Sequence, residues 1–217
     1  MKFAVVLVVA GVLLVGLIRA EKTNKPKKIL TVKTPLSLLF IVAWTLQPAQ
    51  NPLFSGLILA ALVFCLGGDV LLGMGSDKAF LGGLISFLLG HVMYTAAFFM
   101  NADVGTFMAA AMIVLLVAAA LVWRWLEPHL EEMKTPVLAY MVIISIMVCA
   151  AAGLAANSTL PGSARMVFLT GAVLFYISDL FVARQRFVVD AIVNRQIGLP
   201  LYYAAQFLLA FSAAWVP

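Results

Sequence analysis

Two aspartates stand where a carboxylate is costly. Asp69 lies in the run Phe-Cys-Leu-Gly-Gly-Asp-Val-Leu-Leu (64–72), and Asp179 lies in Val-Leu-Phe-Tyr-Ile-Ser-Asp-Leu-Phe (173–181). Both runs read as membrane-spanning helix, where an ionisable side chain costs a few kcal/mol and marks a functional site by default. Two nearby carboxyls in apolar surroundings push their pKa values apart and can present one protonated and one ionised form at neutral pH. The competing role is interhelical hydrogen bonding, which would make each Asp glue between helices.

The residues around them must be carried by a membrane bundle. The chain has 217 residues, of which 65% are hydrophobic and 11% charged, a balance that excludes a water-soluble globule and fits one polytopic domain over 1–217. Its formal charge of +5 is concentrated in short loops and reports topology, so no nucleic-acid partner is expected. Cys65 and Cys149 sit in apolar runs without CxxC or Cys/His spacing and read as small core residues.

Eight spans are expected, an all-α bundle. The first is the apolar run Phe3–Ile18, retained because Ile18-Arg19-Ala20 is a poor cleavage site. A basic loop, Arg19–Lys33, leads to a second helix placed at Pro35–Gln47, with Pro35 in its first turn. An uncharged turn over Pro48–Pro52 follows, then helices at Leu53–Leu72, Ala79–Met100, Val104–Trp123, Pro136–Ala155, Ala164–Ala183 and Leu199–Trp215. Gly82, Ser86 and Gly90 form a small-xxx-small stripe for close packing in the fourth. Trp123 and Trp125 read as interfacial anchors.

Counting Lys and Arg by loop puts twelve on one face and only Lys2 and Arg165 on the other. The positive-inside rule then places both termini, Pro217 included, on the non-cytoplasmic side, in what is expected to be a bacterial inner membrane. Lys33-Thr34-Pro35 and Lys134-Thr135-Pro136 open helices in the two halves, and a small residue precedes each Asp. A parallel 4+4 repeat is one origin of this likeness and chance is the other.

At 1.5 Å per residue, Asp69 and Asp179 fall about one turn inside the cytoplasmic ends of their helices, level with Tyr140, Tyr202 and Tyr203. Gln206 is about a turn deeper, His91 is nearer the middle, and Lys33 and Lys134 are expected at the rim. Polar side chains thus converge on one leaflet above an aliphatic half, which suits a lipid-like substrate with its head group near Lys33 or Lys134. A proton or ion path would need polar groups all the way across.

Several ordered motifs carry a resemblance. Gly-Gly-Asp-Val-Leu-Leu (67–72), Phe-Leu-Leu-Gly-His-Val-Met-Tyr (87–94), Tyr-Met-Val-Ile-Ile-Ser (140–145), Phe-Tyr-Ile-Ser-Asp (175–179) and Tyr-Tyr-Ala-Ala-Gln (202–206) are similar, in order and over essentially the whole chain, to the YhhN family, whose animal relatives are lysoplasmalogenases. The family pattern has Lys directly before the Pro of the second helix, whereas Thr34 intervenes here. The resemblance implies hydrolysis of the vinyl ether bond of a lysoplasmalogen to a fatty aldehyde and a glycerophospho-amine alcohol. It further implies Asp69 and Asp179 as catalytic groups, with Lys33, His91, Tyr94, Lys134, Tyr140, Ser178, Tyr202, Tyr203 and Gln206 contacting substrate, and no cofactor. A zinc hydrolase of the ceramidase type would need several His ligands, and the chain has only His91 and His129. A lipid carrier or flippase using the same pocket is the non-enzymatic alternative.

Overall fold

The computed structural model describes residues 2–48 and 50–216. Met1, Ala49 in the expected 48–52 turn, and Pro217 lie outside the described residues. Among the described residues eight long helices follow one another: α1 Lys2–Glu21, α2 Pro26–Thr45, α3 Pro52–Gly73, α4 Asp77–Phe99, α5 Thr106–Leu126, α6 Lys134–Ala156, α7 Gly162–Ala183 and α8 Ile192–Ser212. Two 3₁₀ turns, Glu127–His129 and Glu131–Met133, join α5 to α6, and a π-helical turn, Arg184–Val188, leads from α7 toward α8. The chain is an all-helical integral membrane bundle. Seven of the described helices are long and apolar enough to cross a membrane. α8 falls short because Asn194, Arg195 and Gln206 dilute it, and the bundle shields that polarity, with Asn194 and Gln206 buried.

Two helix starts differ from the sequence expectation for one reason. α2 starts at Pro26, nine residues before Pro35, and α8 starts at Ile192 and contains Pro200. In each case an internal proline passes for a helix start. A proline inside a membrane helix removes one backbone bond, a loss that neighbouring helices in a bundle can make good. As a consequence Lys33 is not in the loop; it lies two turns inside α2 and is buried.

α6 is the central helix, in contact with α4, α5 and α7, while α3 pairs with α4 and α7 with α8. None of the spanning window of α5 is buried, so that helix faces lipid along most of its length. Lipid is as apolar as a leucine side chain, so helices associate here through close packing and hydrogen bonds rather than hydrophobic burial. The α3–α4 seam shows both. A Cβ on Gly90 would stand 3.0 Å from Cys65 Sγ and 3.2 Å from the Ala61 carbonyl, and Ser86 donates to the Phe64 carbonyl at 2.6 Å. The small-residue stripe therefore packs as its spacing suggests.

Phe54, Phe98 and Phe168, all fully buried, fill the half of the bundle remote from the aspartates with edge-on contacts at 5.8 Å. Asp69 is four residues before the end of α3 and Asp179 four before the end of α7. The two carboxyls are therefore set at matching register in helices that run the same way.

Candidate active site

A cavity of about 500 Å³ opens at the end of the bundle that carries the α1–α2, α3–α4 and α7–α8 connections, and both Asp69 and Asp179 line it. Its volume lies within the range of small-molecule sites. The walls differ. On one side Phe80, Leu84, Val122, Leu126, Val137 and Met141, from α4, α5 and α6, present only apolar surface. On the other, Glu21, Lys33, Asn194 and Arg195, from α1, α2 and α8, present charge and amide groups.

Asp69 is 1% exposed and surrounded by donors. Lys33 Nζ meets Oδ1 at 3.0 Å, while Ser37 donates to Oδ2 at 2.6 Å and Tyr202 donates to the same oxygen at 2.7 Å. Ser37 and the Tyr203 hydroxyl are 3.0 Å apart. The Ser37 proton is committed to Asp69, so Tyr203 donates to Ser37 and completes the shell from behind. A cation and two hydroxyl protons thus meet its two oxygens, an arrangement complementary to a carboxylate anion. The helical geometry that builds this shell is local: Lys33 and Ser37 are four apart on α2 and so share a face.

Asp179 has another environment. Its side chain is 17% exposed, and Oδ2 accepts from Tyr140 at 2.6 Å and lies 3.5 Å from His91 Nε2. No Lys or Arg pairs with it among the described residues. His91 itself is fully buried, and its Nδ1 is 2.8 Å from the Phe87 carbonyl. Phe87 and Phe175 separate the two clusters: Phe175 meets His91 at 4.5 Å and Tyr202 at 5.4 Å, and Phe87 meets Tyr202 at 5.8 Å. Each carboxyl therefore has its own partners on its own side of an aromatic wedge.

Of the residues singled out from sequence, Asp69, Asp179, Lys33, Tyr140, Ser178 and Tyr202 line the cavity. The other five do not. His91 and Tyr203 stand behind the two carboxyls, and Tyr94 and Gln206, both fully buried, bind each other across α4 and α8 at 2.8 Å. Lys134 is half exposed and pairs with Glu127 on the outside. Lys33, expected at the rim for a head group, is instead occupied by Asp69. The likeness between the halves does not hold even at the helix starts: Lys134 opens α6, whereas Lys33 lies two turns inside α2, and α2 supplies Asp69 with a lysine where α6 supplies Asp179 with a tyrosine.

Four contributors were not singled out from sequence. Ser37 was hidden by starting α2 at Pro35, which breaks its i, i+4 relation to Lys33. Arg186, in the π-helical turn after α7, and Asn194 and Arg195, in the first turn of α8, form a strap that borders the cavity mouth. Arg195 pairs with Glu21 at 2.7 Å and with Asp190 at 3.1 Å, Arg186 pairs with Asp77 and covers the Phe80 ring, and Arg184 donates to Asn194. Asp190 is outside the spans, and the Gln185 amide, with help from Arg195, holds its carboxyl below its ordinary value of 3.8. No three His, Cys, Asp or Glu side chains gather as metal ligands among the described residues.

The comparisons with known proteins agree with one another. The chain is 31% identical to the bovine lysoplasmalogenase TMEM86A over 77% of its own length and 67% of the relative's, and 31% identical to the mouse lysoplasmalogenase TMEM86B over 82% and 72%. It is 33% identical to a lysoplasmalogenase of Mycobacterium tuberculosis (strain CDC 1551 / Oshkosh) over 70% of its length and 58% of that protein's. No solved structure matches it. The sequence model of the YhhN family matches residues 28–213, which takes in every cavity residue except those at the α1–α2 connection, and the chain belongs to the YhhN family.

Proposed function

We propose that this chain hydrolyses the vinyl ether bond of lysoplasmalogens, with Asp179 as the proton donor and Asp69 as the fixed negative charge. The observation that carries the assignment is the contrast between two carboxyls lining one cavity, one saturated with a cation and two hydroxyl donors, the other open to the cavity and lacking a permanent cation. Relatives named lysoplasmalogenase, similar over most of the chain, support the reaction class.

Protonation of the β-carbon by Asp179 converts the double bond to a C–H bond and leaves an oxocarbenium ion. The anionic Asp69 at the same cavity favours that cation, as a preorganised charge does in a site that excludes bulk water. Water adds to the cationic carbon and returns its proton to the Asp179 carboxylate. The hemiacetal then breaks its bond to the glycerol oxygen, its hydroxyl proton ending on that oxygen, which yields the fatty aldehyde and the glycerophospho-alcohol. No net proton is consumed, so one carboxyl serves as acid and then as base.

The two walls orient the substrate. The alkenyl chain fits the apolar face of α4, α5 and α6. The head group then falls at the charged face, where Arg195 takes the place that Lys33 and Lys134 do not fill. Lysoplasmenyl-choline and lysoplasmenyl-ethanolamine are both candidates, entering from the cytoplasmic leaflet if the basic face is cytoplasmic. Purified protein given each lipid should release one aldehyde per glycerophospho-alcohol, with no loss on adding a chelator. Absence of aldehyde from both lipids would defeat the proposal.

A further inference from the structure

We propose that His91, which touches neither the cavity nor the substrate, is the positioning residue that keeps a proton on Asp179, the two side chains holding one proton between them. This rests on the reading of Asp179 as the acid. Hydrogen-bond accounting carries it. The Phe87 carbonyl can only accept, so the 2.8 Å contact fixes the proton of His91 on Nδ1 and turns Nε2 toward Asp179 Oδ2. A neutral imidazole then offers a bare lone pair to that oxygen. An ionised Asp179 would offer another. Tyr140, the one hydroxyl in reach of both among the described residues, gives its proton to Asp179 at 2.6 Å and is 3.5 Å from Nε2. Two facing acceptors, one of them on a fully buried imidazole, cost free energy, and buried polar atoms are nearly always paired. One additional proton removes the conflict, whether it sits on Oδ2 or on Nε2.

The same accounting at Asp69 calls for no extra proton, because Lys33, Ser37 and Tyr202 already supply three donors. The proton therefore belongs to the cluster of α4, α6 and α7. Phe175, edge-on to the imidazole at 4.5 Å, and the packing of α4 against α3 close His91 off on its other sides. The titratable groups facing it are Asp179 from α7, Tyr140 from α6, Tyr94 one turn along α4 and Cys65 from α3 beside Gly90; Tyr202 of α8 lies beyond Phe175. None carries a permanent positive charge, so the pair is without a competing cation.

Substituting His91→Gln keeps a side chain that can hydrogen-bond but cannot share the proton. At neutral pH kcat should fall by ~10²-fold or more, the scale of losing one proton-transfer role, with KM unchanged because the cavity wall is intact. The loss should depend on pH, being smallest where the solution supplies the proton that His91 no longer holds. A kcat loss of equal size at every pH, or a wild-type profile, would overturn the inference. ¹⁵N NMR of the imidazole and the infrared carboxyl band assigned with Asp179→Asn give a readout that needs no substrate. The pair should carry one proton beyond Nδ1–H at pH 7, and a bare Nε2 beside an ionised Asp179 would refute the sharing even if aldehyde release proceeds. If no aldehyde is released yet the shared proton is found, the hydrolase reading fails and the pair stands.

Discussion

The Lys33–Asp69 pair separates chemistry from structural support, because its two charges can be removed singly or together. Both side chains are buried, at 8% and 2% exposure, so Lys33→Met leaves an anion with only hydroxyl donors and Asp69→Asn leaves an ammonium without a counter-ion. Breaking a buried pair from one side costs ~3–5 kcal/mol. For a chain of this length roughly 2–4 °C of Tm corresponds to each kcal/mol, so each single variant should melt on the order of 10 °C lower. The double variant Lys33→Met/Asp69→Asn has no unpaired charge and should regain most of that loss, giving a coupling of a few kcal/mol in the double-mutant cycle. Turnover should behave differently. All three variants lack either the anion or its fixed position, and the double variant, though stable, should stay ~10²-fold or more below wild type, as when a preorganised charge is deleted. Thermal unfolding in detergent and aldehyde release from the same preparations give both readings. Activity that returns with stability in the double variant would show that Asp69 acts only as helix glue.

Other outcomes follow from the same geometry. Asp179→Asn should lower kcat by ~10²–10⁴-fold with little change in KM, measured by aldehyde release; near-normal turnover would remove Asp179 from the chemistry. Tyr140→Phe takes away the 2.6 Å donor to Asp179 and should cost less than Asp179→Asn in the same assay. Arg195→Gln should raise KM more than it lowers kcat if the mouth binds the head group before and during reaction. Asp190, whose carboxyl is held low, contributes its contacts fully above the ordinary carboxylate range and loses them only as pH falls below it; amide protection in the 184–191 turn, referred to intrinsic exchange rates, should be the same in Asp190→Asn and wild type in strong acid and lower in the variant from pH 5 to 8. Lys27 and Arg186 should be accessible to a reagent on the cytoplasmic side, and a C-terminal reporter active only in the cytoplasm should be silent.

The bundle was legible in the sequence because long apolar runs separated by charged connections leave little choice of element, and the register of Asp69 and Asp179 follows from helix rise alone. Helix starts were less so. Pro35 and Pro200 each read locally as a first-turn proline, and nothing near them in the chain shows that the helix continues through. That one misreading put Lys33 at the rim and concealed Ser37, although Lys, Ser and the carboxylate make a single cluster. The depths of Tyr94, Tyr203, Gln206 and His91 were readable, but which way each side chain turns depends on the neighbouring helix. Sequence gives no sign that Phe175 stands between Tyr202 and His91, or that His91 faces Asp179 rather than the cavity. The strap was missed because Arg184, Arg186 and Arg195 served only as topological charge, while their partners Asp77, Glu21 and Asn194 come from three different helices or helix ends.

Delivery of a proton to the β-carbon leaves a mark on the product. Wild-type protein turning over a lysoplasmenyl lipid in D₂O should release a fatty aldehyde carrying one solvent deuteron on the carbon next to the carbonyl, read by mass spectrometry against the same aldehyde incubated without enzyme. Asp179→Asn should reduce the rate at which that labelled aldehyde forms by ~10²-fold or more. Aldehyde that bears no solvent deuteron, or labelled aldehyde formed as fast without the Asp179 carboxyl, would contradict proton donation by Asp179.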